Sequence, residues 1–94
     1  MASKPERTID EIVKETMALI ERGEDIWRAL KYLQDNLIRH PEQMSAKQRR
    51  DILARRSRIA KLSHISGYNL EAAVQGFARY LNDLRSRKES SYEQ

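Results

Sequence analysis

Four segments of this chain place apolar residues at the spacing of an amphipathic helix, and helix-breaking residues fall mostly between them. Gly23, Pro41 and Gly67 separate the segments, and Pro5 precedes the first. Each segment has an apolar stripe that must be covered, so short connections favour packing of the helices against one another. The 94 residues are predicted to form one small all-α domain of four helices, either a bundle or an orthogonal helical array.

Capping residues set the predicted helix boundaries. Thr8 and Ser45 are each followed three residues later by Glu or Gln, which is the spacing of a capping box. Pro41 disfavours helical geometry at His40 and should end the second helix near residue 39. The predicted N-caps are Thr8, Asp25, Ser45 and Asn69. The predicted helices are residues 9–22, 25–39, 46–62 and 70–86, within a domain of residues 8–87. Residues 1–7 and 88–94 lack apolar periodicity and are predicted to be flexible.

The composition excludes several classes of protein. The chain has no cysteine, so disulfides and thiolate metal sites are excluded. No apolar run approaches the roughly 20 residues that a membrane-spanning helix needs. Residues 1–7 lack the apolar stretch of a signal peptide. We therefore expect a cytoplasmic protein that does not associate with a membrane.

Charge is distributed unevenly along the chain. Residues 1–44 carry seven basic and nine acidic side chains, whereas residues 45–94 carry eleven basic and five acidic ones. The two parts therefore have net charges of −2 and +6, which together give the total of +4. Such asymmetry indicates association of the second part with an anionic partner.

The third predicted helix concentrates this positive charge on one face. Five cations and Asp51 fall within about 140° of its helical wheel, opposite an apolar face centred on Ile52, Leu53, Ile59 and Ala60. The five cations are Lys47, Arg50, Arg55, Arg58 and Lys61. Nucleic-acid phosphate is the commonest partner of such a stripe, so these residues are the predicted nucleic-acid contacts. The alternative is an ordinary solvated face balanced by acids on neighbouring helices, of which the first helix has enough.

Further cations are candidate additional contacts or internal partners. Arg49 and Arg56 fall inside the apolar arc of the third helix, where a buried arginine needs a carboxylate or an anion. We expect them to form ion pairs within the fold or at an interface with a second chain. Cations near the basic helix or beyond the fourth helix could extend the positive surface: His64, Arg85, Arg87 and Lys88. The simpler interpretation of His64 is a polar turn residue.

The sequence offers no catalytic constellation. His40 and His64 lie at helical spacing neither from each other nor from a pair of carboxylates, and zinc normally needs three or four converging ligands. No phosphate-binding glycine loop is present. We therefore expect a protein that is not an enzyme and needs neither a cofactor nor a metal.

Two functions remain open from the sequence. The leading prediction is a small helical protein that binds nucleic acid, or acts within a nucleoprotein complex, through its basic third helix. The alternative is a protein-interaction module: an adaptor, an inhibitor or a homo-oligomeric assembly subunit. Surplus apolar surface at Trp27, Ile38 and Tyr80 would then bind the partner or complete a homodimer. In that case the basic helix would bind an acidic protein surface.

Overall fold

The computed structural model describes the backbone of residues 8–93 and the side chains of residues 8–85. It is all-helical, as predicted, with no strand in the described part of the chain. The helices are α1 (Ile9–Glu21), α2 (Ile26–Leu37), α3 (Ala46–Leu62) and α4 (Leu70–Glu93), with a 3-10 turn at Pro41–Gln43. The predicted flexibility of residues 1–7 concerns residues outside this description.

Side chains at the predicted caps hold the helix starts. The Thr8 hydroxyl accepts from the backbone N–H of Glu11 at 3.1 Å, although the reciprocal bond of a capping box is not formed there. Asp25 Oδ1 accepts from the N–H of Trp27 at 2.7 Å, and Asn69 Oδ1 accepts from that of Ala72 at 3.0 Å. Each bond satisfies a backbone donor that the helix itself leaves free, so the four predicted starts agree with the structure to within one residue.

α3 has the most complete cap. The Ser45 hydroxyl accepts from the Gln48 N–H at 3.1 Å, and Gln48 Oε1 accepts from the Ser45 N–H at 2.9 Å. We expect Ser45→Ala to lower the free energy of unfolding by about 1 kcal/mol, because it leaves an N-terminal donor without its partner. Urea denaturation followed by circular dichroism measures this loss. Ser66→Ala, at an exposed turn residue, is the control and should stay within about 0.5 kcal/mol of wild type.

Two helix ends differ from the prediction. α2 ends at Leu37, and Ile38 has an extended backbone with φ −103° and ψ 104°. α2 thus ends two residues earlier than expected, and Pro41 does not account for the difference because it restricts only His40. α4 continues to Glu93 rather than ending near residue 86. Its last turns contain no glycine or proline, and Arg, Lys and Glu favour helix even without an apolar stripe.

The core lies between α1, α2 and α4, each of which packs against the other two. α3 packs only against α2 and α4 and does not contact α1. Leu30, Leu33, Val74 and Leu81 are completely buried at this centre. The only buried polar side chain among the described residues is Thr16, whose hydroxyl donates to the Ile12 carbonyl at 2.8 Å. α3 is therefore covered by two helices, and the rest of its circumference faces outward.

Candidate nucleic-acid interface

The predicted basic face lies on this outward side of α3. All five of its cations are exposed: Lys47, Arg50, Arg55, Arg58 and Lys61. Ile52, Ile59 and Ala60, on the opposite side of the helix, are buried. The cations span about 21 Å of helix axis, from Lys47 to Lys61. We call this set of five side chains the α3 basic face.

Four of these cations have no acidic partner within the described part of the chain. Lys47 Nζ lies 3.4 Å from Asp51 Oδ2, one turn along the helix. Both side chains are largely solvent-accessible, so this pair contributes little free energy. The other four members form no ion pair with any described carboxylate: Arg50, Arg55, Arg58 and Lys61. Their charge therefore remains available to an external anion.

No described acid of α1 forms an ion pair with the α3 basic face, because α1 and α3 do not pack directly against each other. Glu15 of α1 instead accepts a hydrogen bond from the Tyr32 hydroxyl of α2. Asp35 of α2 lies 2.9 Å from Lys31 of the same helix. The first helix therefore supplies no direct ion-pair partner to the positive face.

The ion pairs predicted for Arg49 and Arg56 are not formed with any described carboxylate. Arg56 donates from Nη1 to Gln34 Oε1 at 3.2 Å, and its guanidinium carbon lies 5.0 Å from the centre of the Trp27 ring. Arg49 is exposed and donates to the Met44 carbonyl oxygen at 3.2 Å. A neutral amide, a ring face and a carbonyl take the place of the expected carboxylates, since α1 lies out of reach and Asp35 pairs with Lys31.

Burial distinguishes Arg56 from the α3 basic face. Desolvation lowers the pKa of Arg56 from its ordinary value, and the charge of Asp35 opposes this effect. Nε of Arg56 is buried and has no hydrogen-bond partner among the described residues. The guanidinium still carries its charge at neutral pH but packs between α2 and α3. Arg56 is therefore a packing residue rather than an additional contact of the exposed face.

Arg55 is held by an aromatic ring. Its guanidinium carbon lies 3.8 Å from the centre of the ring of Tyr80 on α4. Stacking of this kind uses the face of the guanidinium and leaves the N–H groups at its edge free to donate. This contact orients a cation on the outward side of α3 and covers part of the ring of Tyr80, which is half-buried.

The remaining candidate cations are dispersed. His64 is exposed and lines a shallow pocket of about 610 Å³ together with Lys61 and Trp27, so it lies close to the α3 basic face. Arg85 donates to Asn82 Oδ1 at 2.9 Å and is half-buried on α4. Arg87 and Lys88 lie on α4, and their side chains are outside the description.

The predicted apolar interface residues differ in their exposure. Ile38 is only 8% exposed and packs in the core, so it offers no surface to a partner. Its extended backbone turns the side chain inward, which a helical wheel did not represent. Trp27 is 38% exposed. Leu53 and Ile65 were not predicted as exposed, yet they are 53% and 54% exposed.

The described residues contain no group of three His, Asp or Glu side chains able to hold a metal ion. None of the described helices is both long enough and apolar enough to cross a membrane. Comparison with known protein families, curated proteins and solved structures finds no match to this chain.

Proposed function

We propose that this protein is a non-enzymatic nucleic-acid-binding protein, acting alone or within a nucleoprotein complex, that contacts phosphate through the α3 basic face. One observation carries the proposal: four exposed cations on a single helix face have no described carboxylate partner. Like charges on one face repel one another, and a polyanion relieves that repulsion.

The dimensions of the face agree with a phosphate backbone. Its length of about 21 Å corresponds to several phosphates of a strand, and arginine pairs with phosphate through two parallel N–H donors. Contacts of this kind position a protein but do not read bases. The α3 basic face alone should therefore bind many sequences with similar affinity.

Salt dependence tests the proposal directly. If the four unpaired cations each neutralise one phosphate, the logarithm of the association constant should fall with log salt at a slope of about −3.6 on duplex DNA. Affinity should then decrease about 150-fold between about 50 and 200 mM salt. Fluorescence anisotropy with duplex DNA, single-stranded DNA and structured RNA measures this slope. Absence of binding to all three probes at the lower salt concentration contradicts the proposal.

Exposed apolar side chains favour a second candidate function, a protein-interaction module. Trp27, Leu53 and Ile65 are each more than one-third exposed, and large apolar side chains at the surface are typical of interaction sites when they cluster. Binding through such surface should persist at high salt and strengthen in sulfate. Light scattering at high protein concentration tests the homodimer form of this candidate, and a strict monomer contradicts that form.

A further inference from the structure

A groove of about 730 Å³ lies between α3 and α4, directly beside the α3 basic face. Arg55 and Arg58 line it on the α3 side, and Tyr68 and Tyr80 line it near the two ends of the α4 side. Its volume falls within the range of pockets that hold small molecules and cofactors. The groove therefore combines cations, aromatic rings and enough space for a compact ligand.

Gly76 lines this groove from the α4 side. It lies within α4, is exposed, and does not have a positive φ. A Cβ atom added at this position would have no other atom within 4 Å. Neither backbone geometry nor packing within the chain therefore requires glycine here, and glycine destabilises a helix interior relative to alanine. Close approach of another molecule to the helix backbone is one reason for a glycine at such a position.

The groove walls have the chemistry of a nucleotide site. Ala54 and Ala73 supply small, apolar lining. The half-buried rings of Tyr68 and Tyr80 offer aromatic surface for a planar base, whereas Phe77 is only 2% exposed. The edge of the Arg55 guanidinium remains free to donate to phosphate while its face stacks on Tyr80. Asp51 also lines the groove, but its charge is offset by Lys47 at 3.4 Å. Positive charge thus borders an apolar slot, which matches a phosphate joined to a base.

We propose that the α3–α4 groove receives an unpaired base of a single-stranded nucleic acid, while Arg55 and Arg58 bind the phosphates that flank it. This inference rests on the proposed function and deepens it, since it names the class of nucleic acid. A base in a duplex is paired and stacked and cannot enter the groove without being extruded. Single strands should therefore bind more tightly than duplexes of the same length.

Two substitutions at Gly76 provide the test. Gly76→Leu places a side chain in the groove, whereas Gly76→Ala adds only a methyl group. Both replacements favour helix, so both variants should melt at or above the temperature of the wild-type protein. The probes are a single-stranded oligonucleotide, made as DNA and as RNA, the same strand with abasic positions, and a duplex of equal length. Abasic positions retain the phosphates and remove the bases.

The wild-type protein should bind the intact strand about tenfold more tightly than the abasic strand, as expected from the stacking of one base. Gly76→Leu should lose about tenfold on the intact strand and remain unchanged on the duplex and abasic probes. Gly76→Ala should stay near wild type on every probe. Comparison of the DNA and RNA strands identifies which of the two is preferred.

Other outcomes overturn the inference in distinguishable ways. Equal binding of the intact strand by wild type and Gly76→Leu overturns the groove site alone and leaves phosphate binding by the α3 basic face intact. If Gly76→Leu loses affinity equally for the single strand and the duplex, the phosphate backbone of the nucleic acid rather than a base lies near Gly76. This result also overturns the groove site. Failure of the wild-type protein to bind any probe overturns both the groove site and the proposed function.

Discussion

The triple variant Arg50→Glu, Arg58→Glu, Lys61→Glu is expected to lose at least about a hundredfold in nucleic-acid affinity at about 50 mM salt. These residues are three of the four cations on the α3 basic face that have no described carboxylate partner. The slope of log affinity against log salt on duplex DNA should fall from about −3.6 to about −0.9 or less, because only Arg55 remains. Anisotropy titrations at several salt concentrations give both quantities.

A charge-matched control separates a local contact from the effect of net charge. Lys14→Glu, Arg22→Glu, Arg79→Glu changes the total charge by the same amount at three exposed residues outside α3. We expect it to weaken binding far less than the α3 variant, since these residues lie outside the α3 basic face. Circular dichroism of both variants verifies that they fold. Equal losses in the two variants would show that net charge alone attracts the nucleic acid.

Leu33→Ala is expected to have the largest effect on stability, a loss of about 3 kcal/mol. Leu33 is completely buried on α2, which, like α4, packs against all three other helices. Truncation removes apolar burial and leaves a cavity, and a domain of this size has a total stability of only about 5–14 kcal/mol. The melting temperature should fall by roughly 10–20 °C. Urea denaturation and thermal melting measure the change.

Leu53→Ala is the matched control for this prediction, since it makes the same chemical change on a neighbouring helix. Leu53 is 53% exposed, so its truncation should change the free energy of unfolding by no more than about 0.5 kcal/mol. A cost at residue 53 equal to that at residue 33 would mean that Leu53 is covered in solution, by a second copy of the chain for example.

Local signals predicted the helices well because their physical causes are local. The N-caps Thr8, Asp25, Ser45 and Asn69 all accept from backbone N–H groups in the structure. Gly23 has a φ of 92° and follows the end of α1 closely. The predicted end of α4 was wrong. Loss of the apolar stripe ends the burial of a helix but does not end the helix itself, and the last residues of α4 contain no helix-breaking residue.

Predictions that depended on neighbouring helices were less successful. Leu53 shares an apolar arc with Ile52 and Ile59, yet it is exposed because α3 is covered only by α2 and α4. The sequence left open whether Arg56 pairs within the fold or at an interface, because its partners Gln34 and Trp27 depend on which face of α2 it meets. A helical wheel shows which residues share a side and cannot show what covers that side.

The exposed positions of the α3 basic face followed directly from the helical wheel, whereas the groove beside it did not. Five cations on one arc face outward whenever the opposite arc is buried, so their exposure needed only the period of the helix. The groove depends on how α3 and α4 pair, which brings Gly76 and Tyr80 opposite Arg55. Gly76 and Tyr80 lie 21 and 25 positions after Arg55, so no local sequence pattern predicts that they come close to it.

The separation of α1 from α3 makes the molecule an electric dipole. α1 has four acids and one lysine, and α3 has seven cations and one acid, yet the two helices do not touch. The field of a polyanion exerts a torque on such a molecule and turns α3 toward it before contact. Productive collisions then become more frequent than random orientation allows, and the acceleration fades as salt shortens the range of the field.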